Sequence, residues 1–228
     1  MASLELVVVD GPEEAARAAA EVLVAAARRG DRIFLSGGST PRRAYELAAE
    51  VEPDWSGASA WWGDERCVPP DDERSNFRLA RETRLDRLTV QPEIHRIAGE
   101  LGAEEAADKY ERELGGEMQG LVLLGLGPDG HTASLFPNAP SLEERDRLVI
   151  GAKPGLEPFV DRVTLTLPAL AAADEIVFLV AGEDKADAAA RGFGGEADPA
   201  TPASLARSAR GPNRAILDRA AAARLSRG

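Results

Sequence analysis

One short glycine-rich segment carries the side chains best suited to acid and base chemistry, Asp129 and His131. Histidine titrates near neutral pH, and a neighbouring carboxylate can orient its ring. An isolated histidine in such a loop is most simply a surface residue, but this segment follows Leu121–Leu124, the most apolar run in the chain. That position favours His131 as a general base. Asp129 is our candidate for holding or tuning the ring.

A second segment is suited to binding a phosphate. Residues 36–41 read SGGSTP and join an apolar run to a helical pattern. Free backbone N–H groups at the start of a helix bind anions, so Gly37, Gly38, Ser39 and Thr40 are candidate phosphate ligands. The same features fit an ordinary capped turn equally well. Because neither Gly-Lys-Ser/Thr nor the G-x-G-x-x-G spacing occurs here, the segment predicts no nucleotide cofactor.

Three cations are candidates for the same site. Arg66 and Lys185 both follow predicted strands; arginine binds phosphate through paired hydrogen bonds, whereas lysine supplies a mobile point charge. Arg162 opens an alternating, strand-like pattern and fits either the crevice or its rim. Most lysines and arginines are solvated surface charges, so only the positions of these residues single them out.

The other candidate residues predict no metal centre. The chain has 2 histidines, far apart, and 1 cysteine, without a His-x-x-His or Cys-x-x-Cys pair. We expect His95, on a short apolar segment, to have a structural or surface role. Ser134 lies outside any Gly-x-Ser-x-Gly elbow, which favours a helix cap over a nucleophile.

The scaffold that would position these segments alternates strands with helices. Continuous apolar runs are typical of buried parallel strands. The predicted strands are Leu4–Val9, Arg32–Leu35, Ala58–Trp62, Leu121–Leu124, Ile176–Val180 and Arg214–Leu217. The predicted helices are Pro12–Arg29, Pro41–Glu50, Ser75–Leu88, Ala103–Leu114, Glu183–Arg191 and Asp218–Leu225. The pattern predicts an α/β fold with a parallel sheet covered by helices on both faces, and the candidate residues lie after its strands, at the binding edge.

Length and charge restrict the domain organisation and the partners. Too few residues follow the loop predicted at Phe193–Pro202 to bury a second core, so we expect one domain over residues 1–228. The net charge of −12 disfavours nucleic acid as a partner. No apolar run approaches the roughly 20 residues that span a bilayer, and the acidic start lacks a signal-peptide pattern. We expect a cytoplasmic, monomeric protein without a membrane partner.

Four sequence blocks together resemble the signatures of 6-phosphogluconolactonases. They are Ser36–Pro41, Trp62–Arg66 with Ser75-Asn76, Gly125–Pro137, and Arg162–Thr166. The resemblance covers nearly the whole chain in order, and it implies a modified Rossmann-like three-layer α/β/α sandwich with a mostly parallel sheet. It further implies an enzyme without a cofactor that acts in the oxidative pentose phosphate pathway.

Two blocks separate this chain from the related glucosamine-6-phosphate deaminases. Those enzymes carry Asp-Glu-Tyr where this chain has Asp-Glu-Arg at 64–66, and Asn-Glu-Pro where it has Leu-Phe-Pro at 135–137. The ring-opening glutamate of the deaminases is therefore missing. A deaminase or isomerase of the same fold, or a non-catalytic sugar-phosphate sensor, remains as an alternative.

The resemblance leads to an expected reaction, hydrolysis of 6-phospho-D-glucono-1,5-lactone to 6-phosphogluconate. His131 would take a proton from water and return it to the departing ring oxygen. Asp64 and Asn76 are expected to line the same crevice by hydrogen bonding. Arg162 or the backbone of residues 127–130 would stabilise the oxyanion. The expected partner is a small phosphorylated sugar lactone.

Overall fold

The computed structural model of the chain describes residues 3–154, 157 and 159–225. Its strands are β1 Leu4–Val9, β2 Arg32–Leu35, β3 Ser59–Trp62, β4 Asp64–Arg66, β5 Glu93–Ile94, β6 Leu121–Leu124, β7 Val149–Ala152, β8 Arg162–Leu165, β9 Glu175–Val180 and β10 Asn213–Asp218. Its α-helices are α1 Pro12–Arg29, α2 Thr40–Val51, α3 Asn76–Thr83, α4 Ala103–Leu114, α5 Leu167–Ala172 and α6 Ala186–Gly194.

The main sheet has seven parallel strands in the order β1-β10-β9-β6-β2-β3-β5. Its central strands β6 and β9 are almost wholly buried, as expected for strands covered on both faces. The helices that connect the strands pack on the sheet, and one apolar cluster fills the space between them. The predicted α/β sandwich with a mostly parallel sheet is therefore confirmed.

The predicted helices differ in how well they match the structure. Pro12–Arg29 and Ala103–Leu114 have the predicted bounds, because each ends at a left-handed glycine that stops the helix. The helix predicted at Ser75–Leu88 is broken at Arg84, after which a 3-10 turn covers Leu85–Arg87. Another short 3-10 turn, Glu183–Lys185, precedes α6.

Two predictions at the edges of the fold are wrong. Asp218–Leu225 forms turns instead of a helix, because Asp218 belongs to β10 and its carboxylate accepts the N–H of Ala221 in a tight turn. β1 is not buried: it is an edge strand, and Leu6 and Val8 are 40% and 50% exposed. An apolar run alone cannot distinguish a central strand from an edge strand.

The fold includes a second sheet, which was not predicted. It is antiparallel, with the order β4-β8-β7, and β4 follows β3 after a single glycine, Gly63. β8 coincides with the alternating pattern that opens at Arg162, whereas β4 and β7, with 3 and 4 residues, are too short for a clear period-two pattern. This sheet carries Asp64 and Arg66, so it positions part of the site.

Among the helices that the described residues form, none has the length and apolar character needed to cross a membrane.

Candidate active site

A cavity of about 320 Å³ lies at the carboxyl ends of the parallel strands. The loops that follow β2, β6 and β9 contribute to its wall, and so does β4, which follows β3. All the predicted site residues except Asp129 and Arg162 line it. Gly127 and Pro128, part of the backbone predicted as an oxyanion donor, also line it, as do residues that the prediction omitted: Ser36, Pro41, Gly125, Leu126, Thr132, Ala133, Ala181 and Asp184. The convergence of these loops follows from the parallel sheet, because its strands end at one edge.

His131 and Asp129 form a close pair in the loop after β6. Nδ1 of His131 lies 2.6 Å from Oδ1 of Asp129, and the same oxygen accepts the backbone N–H of His131 at 3.1 Å. Burial opposes ionisation of Asp129, but its hydrogen bonds with His131 outweigh that effect and hold the pKa of Asp129 below its ordinary value. The pairing occupies Nδ1, so Nε2 is the nitrogen that remains for a substrate or water.

Gly127 makes room for the histidine ring. A Cβ atom at this position would lie 2.0 Å from Nδ1 of His131 and 2.7 Å from Oδ1 of Asp129. The loop is closed by hydrogen bonds from the N–H of Gly127 to the carbonyl of His131 and from the N–H of Gly130 to the carbonyl of Gly127. These bonds fix the ring by backbone geometry, and they engage the N–H groups of both glycines.

The SGGSTP turn enters α2, which begins at Thr40. The Ser39 side chain makes no capping hydrogen bond, so the described turn is not an ordinary side-chain-capped one. Gly38 has φ +93°, a left-handed conformation that favours glycine. The residues of the turn line the cavity, so the N–H groups that the first turn of α2 leaves without an intrahelical partner lie beside it.

Asp64 and Asn76 are linked by hydrogen bonds to the histidine loop. The Asn76 side-chain amide donates to the Asp64 carbonyl at 2.8 Å and to its carboxylate at 3.1 Å. Ser134 donates from its hydroxyl to the other carboxylate oxygen of Asp64 at 2.7 Å. The predicted helix-cap role of Ser134 is thus wrong, because no helix begins directly after it and its hydroxyl donates to the carboxylate of Asp64 instead.

A buried glutamate, Glu65, supports the same wall and was not predicted as a site residue. Its carboxylate accepts the backbone N–H groups of Arg66, Asn76 and Phe77 and the hydroxyl of Ser75. Burial raises the pKa of Glu65 against these hydrogen bonds. Glu65 links β4 to the start of α3 and so fixes the position of Asn76. The only feature of the sequence that pointed to Glu65 was its place between Asp64 and Arg66 in the 62–66 block.

The two cations that line the cavity are constrained differently. One nitrogen of Arg66, Nη1, donates to the carbonyl of Arg74 at 2.5 Å. Lys185 has a 19% exposed side chain, and its Nζ lies 3.2 Å from the exposed carboxylate of Asp184. Arg66 is held by a backbone carbonyl, whereas Lys185 pairs with an exposed carboxylate. The position of Arg66 is therefore the more fixed of the two.

The burial of Arg162 excludes one of its two predicted locations, the rim of the crevice. Arg162 is 5% exposed and pairs with Arg66 across β4 and β8, so it is not a rim charge. It is also not among the described residues that line the cavity. Burial, together with the charge of Arg66, lowers the pKa of Arg162. In the backbone of residues 127–130, the other predicted oxyanion donor, the N–H groups of Gly127 and Gly130 are engaged within the loop, and the assignment of the donor stays a prediction.

Three buried polar atoms on the cavity wall lack a hydrogen-bond partner among the described residues. They are Oγ of Ser36, Nε of Arg66 and Oδ1 of Asn76. Buried polar groups are normally satisfied by protein, water or ligand. Two donors and one acceptor on one wall are what a ligand with phosphate and hydroxyl groups would satisfy.

His95 lies apart from the cavity and is structural, as predicted. Its ring stacks on Trp61 at 3.9 Å between centroids, and its Nδ1 lies 2.6 Å from a carboxylate oxygen of Glu113. Within residues 3–154, 157 and 159–225, no group of three or more His, Cys, Asp or Glu side chains is arranged to hold a metal ion.

Together the fold and the site define an α/β protein with a polar small-molecule cavity and a histidine–aspartate pair at its sheet edge. The model of the family described as glucosamine-6-phosphate isomerases/6-phosphogluconolactonase matches residues 10–215. The chain belongs to this family.

Several proteins similar to this chain are named 6-phosphogluconolactonase. The chain is 36% identical to a 6-phosphogluconolactonase of Streptomyces coelicolor, covering 94% of this chain and 85% of that protein. It is 43% identical to a 6-phosphogluconolactonase of Synechocystis, covering 77% of each. The solved structure of 6-phosphogluconolactonase from Trypanosoma cruzi is similar over 99% of this chain and 98% of that one, with a TM-score of 0.84 and 26% identity.

Proposed function

We propose that this protein hydrolyses 6-phospho-D-glucono-1,5-lactone to 6-phosphogluconate in the oxidative pentose phosphate pathway. The observation that carries the proposal is the pairing of His131 with Asp129 on the wall of a cavity that the phosphate-binding turn also lines. A base and an anion site in one cavity suit a phosphorylated substrate with an electrophilic carbon. The names of the relatives agree with this reaction.

His131 performs both proton transfers in the proposed mechanism. Its Nε2 takes a proton from water as the water oxygen bonds to C1 of the lactone, giving a tetrahedral intermediate. The bond from C1 to the ring oxygen then breaks, and the imidazolium returns the proton to that oxygen, which becomes the C5 hydroxyl. The Asp129 carboxylate holds the ring through Nδ1 and stabilises the imidazolium.

The phosphate binds away from the reacting carbon. The N–H groups of Gly37–Thr40, the Arg66 guanidinium and the Lys185 ammonium hold it, and the unpartnered Nε of Arg66 supports this assignment. The Asp64 carboxylate and the unpartnered Oδ1 of Asn76 accept hydrogen bonds from the sugar hydroxyls. Such remote binding energy orients C1 toward His131.

The first test follows the decay of freshly generated lactone at neutral pH, above its spontaneous hydrolysis. Wild type should accelerate the decay, and His131→Ala should reduce kcat by roughly a hundredfold or more, as expected of a lost general base. His95→Gln is the matched control, since the other histidine lies outside the cavity. Unchanged turnover in His131→Ala would reject the mechanism.

The same preparation separates the alternatives. Ammonia release from glucosamine 6-phosphate would identify a deaminase, and binding of 6-phosphogluconate without turnover of the lactone by wild type would identify a sensor. The expected results are no ammonia and rapid lactone decay. The single domain, the monomeric state, the cytoplasmic location, and the absence of a cofactor, a metal and a nucleic-acid partner stay predictions.

A further inference from the structure

A buried tyrosine, Tyr45, holds the first residue of the turn that lines the cavity. Its hydroxyl accepts a hydrogen bond from the N–H of Ser36 at 2.9 Å and donates one to the carbonyl oxygen of Ser36 at 2.7 Å. Tyr45 is 0% exposed, and Ser36 lines the cavity. We propose that Tyr45 is a positioning residue for the substrate phosphate, an inference that rests on the proposed function of this cavity.

The tyrosine acts where the chain leaves the sheet. β2 ends at Leu35, whose register partner in β3 is Trp62, and Ser36 lies beyond the strand. A buried peptide group without a ladder partner is unfavourable, so the chain can turn away here only if another group satisfies it. One phenol hydroxyl satisfies both the N–H and the carbonyl of Ser36, in place of a neighbouring strand.

The hydrogen bonds also close the turn on itself. Tyr45 lies on α2, the helix that the turn enters, so strand, turn and helix form one unit. On its other side the turn packs against Asn76, because a Cβ atom on Gly37 would lie 1.8 Å from the Oδ1 atom of that residue. Held at both Ser36 and Gly37, the turn keeps its N–H groups in one direction before a phosphate arrives, which is the preorganisation that binding requires.

The Tyr45 ring packs near a buried arginine, Arg84. The guanidinium of Arg84, which is buried, lies 5.9 Å from the centroid of the Tyr45 ring and 3.4 Å from that of Trp55. Burial raises the pKa of Tyr45 to about 12, so the hydroxyl stays protonated at neutral pH and can both donate and accept.

A second tyrosine provides a matched control within the same sheet. The hydroxyl of Tyr110 accepts the N–H of Trp62 at 2.8 Å and donates to its carbonyl oxygen at 3.0 Å. Tyr110 is 1% exposed, and Trp62 ends β3 without lining the cavity. The two tyrosines therefore make the same pair of hydrogen bonds, but only Tyr45 makes them to the phosphate turn.

The test compares Tyr45→Phe with Tyr110→Phe, each of which keeps the ring and removes the hydroxyl. We expect Tyr45→Phe to raise KM for the phosphorylated lactone about five- to tenfold and to keep kcat within about twofold of wild type. The lost interaction would bind the substrate and the transition state equally, so binding weakens without slowing the chemical step. Tyr110→Phe should lower the melting temperature about as much as Tyr45→Phe does, but it should leave KM within about twofold of the wild-type value. Equal KM effects in both variants, or a loss of kcat at unchanged KM in Tyr45→Phe, would overturn the proposal.

Binding measurements separate this inference from the proposed reaction. Calorimetry with inorganic phosphate and with 6-phosphogluconate should show both binding about five- to tenfold more weakly to Tyr45→Phe than to wild type. That result without any lactone turnover in wild type would reject the reaction and keep the role of Tyr45. Unchanged phosphate binding in Tyr45→Phe, or no phosphate binding by wild type, would overturn the role.

Hydrogen exchange tests the same geometry without a substitution, should Tyr45→Phe fail to fold. In wild type the amide of Ser36 should exchange as slowly as that of Leu35, within the strand, because the phenol keeps it bonded. Fast exchange at Ser36 would show that the tyrosine does not hold the turn.

Discussion

His131 and Asp129 are joined twice, through Nδ1 of the ring at 2.6 Å and through the backbone N–H at 3.1 Å, both to the same carboxylate oxygen. The bond from the backbone N–H holds the Asp129 carboxylate in place independently of its contact with the His131 ring. The aspartate is therefore already in place when the proposed imidazolium forms, and no rearrangement of the loop is required. Several experiments can test this relationship and the wall around it.

Asp129→Asn should lower kcat at least about tenfold with little change in KM, because the amide cannot stabilise an imidazolium although it fills the same space. Steady-state kinetics on the lactone measures this effect. Asp187→Asn is the control, because it changes an exposed carboxylate on α6 that is not among the residues lining the cavity. Activity of Asp129→Asn within twofold of wild type would remove Asp129 from the mechanism.

The stability of the same variant should depend on pH. The folded-state pKa of Asp129 lies below its ordinary value, so its contribution to stability is present above about pH 4 and is lost as the pH falls through the folded-state pKa. The difference in unfolding free energy between wild type and Asp129→Asn should therefore shrink on acidification. Denaturant unfolding at several pH values measures it; a difference that grows toward acid pH would contradict the assigned direction.

Gly127→Ala should reduce kcat by about tenfold or more, because the added methyl group would overlap the position of the His131 ring and push it from Asp129. Gly125→Ala is the matched control in the same loop: its Cβ meets nothing within 4 Å. The comparison of kcat for the two alanine variants, with their melting temperatures, is the measurement. Equal losses in both would show that overlap with the His131 ring is not the cause of the effect.

Arg66→Met should raise KM for the phosphorylated lactone by about tenfold or more, since a charge-assisted hydrogen bond to phosphate is lost. The effect on phosphate-free gluconolactone should be small, which separates phosphate recognition from general damage to the wall. Arg81→Met removes an arginine from the surface of α3 and serves as the control. A comparable KM change for both lactones would assign Arg66 a different role.

Arg84→Met should leave the unfolding free energy unchanged or raise it by about 1 kcal/mol, because a buried ion is often replaced by an apolar side chain without loss. The nitrogen atoms Nε, Nη1 and Nη2 of Arg84 have no hydrogen-bond partner among the described residues, and burial lowers its pKa to about 9. Denaturant unfolding at neutral pH measures the change. Arg84→Lys should be less stable than wild type, since it keeps the charge and loses the stack on Trp55. A clear loss of unfolding free energy in Arg84→Met would show that the stack of the guanidinium on Trp55 outweighs the cost of burying its charge.

The sequence by itself determined the alternation of strands and helices, the bounds of α1 and α4, and the convergence of four loops at one sheet edge. These features are local: apolar runs, helix stops at glycine, and the rule that parallel strands end together. The pairing of Asp129 with His131 could also be predicted from the sequence, because the two residues are 2 positions apart in one loop.

Tertiary structure decided which groups meet across the chain. Ser134 reaches Asp64 over 70 positions, and Tyr110 reaches Trp62 over 48, contacts that no spacing rule encodes. The burial of Arg162 depends on the pairing of β4 with β8, and the exposure of β1 on its place at the sheet edge. A residue's type sets what it can bond, but burial and pairing partners depend on the register of distant segments, and only the folded chain fixes that register.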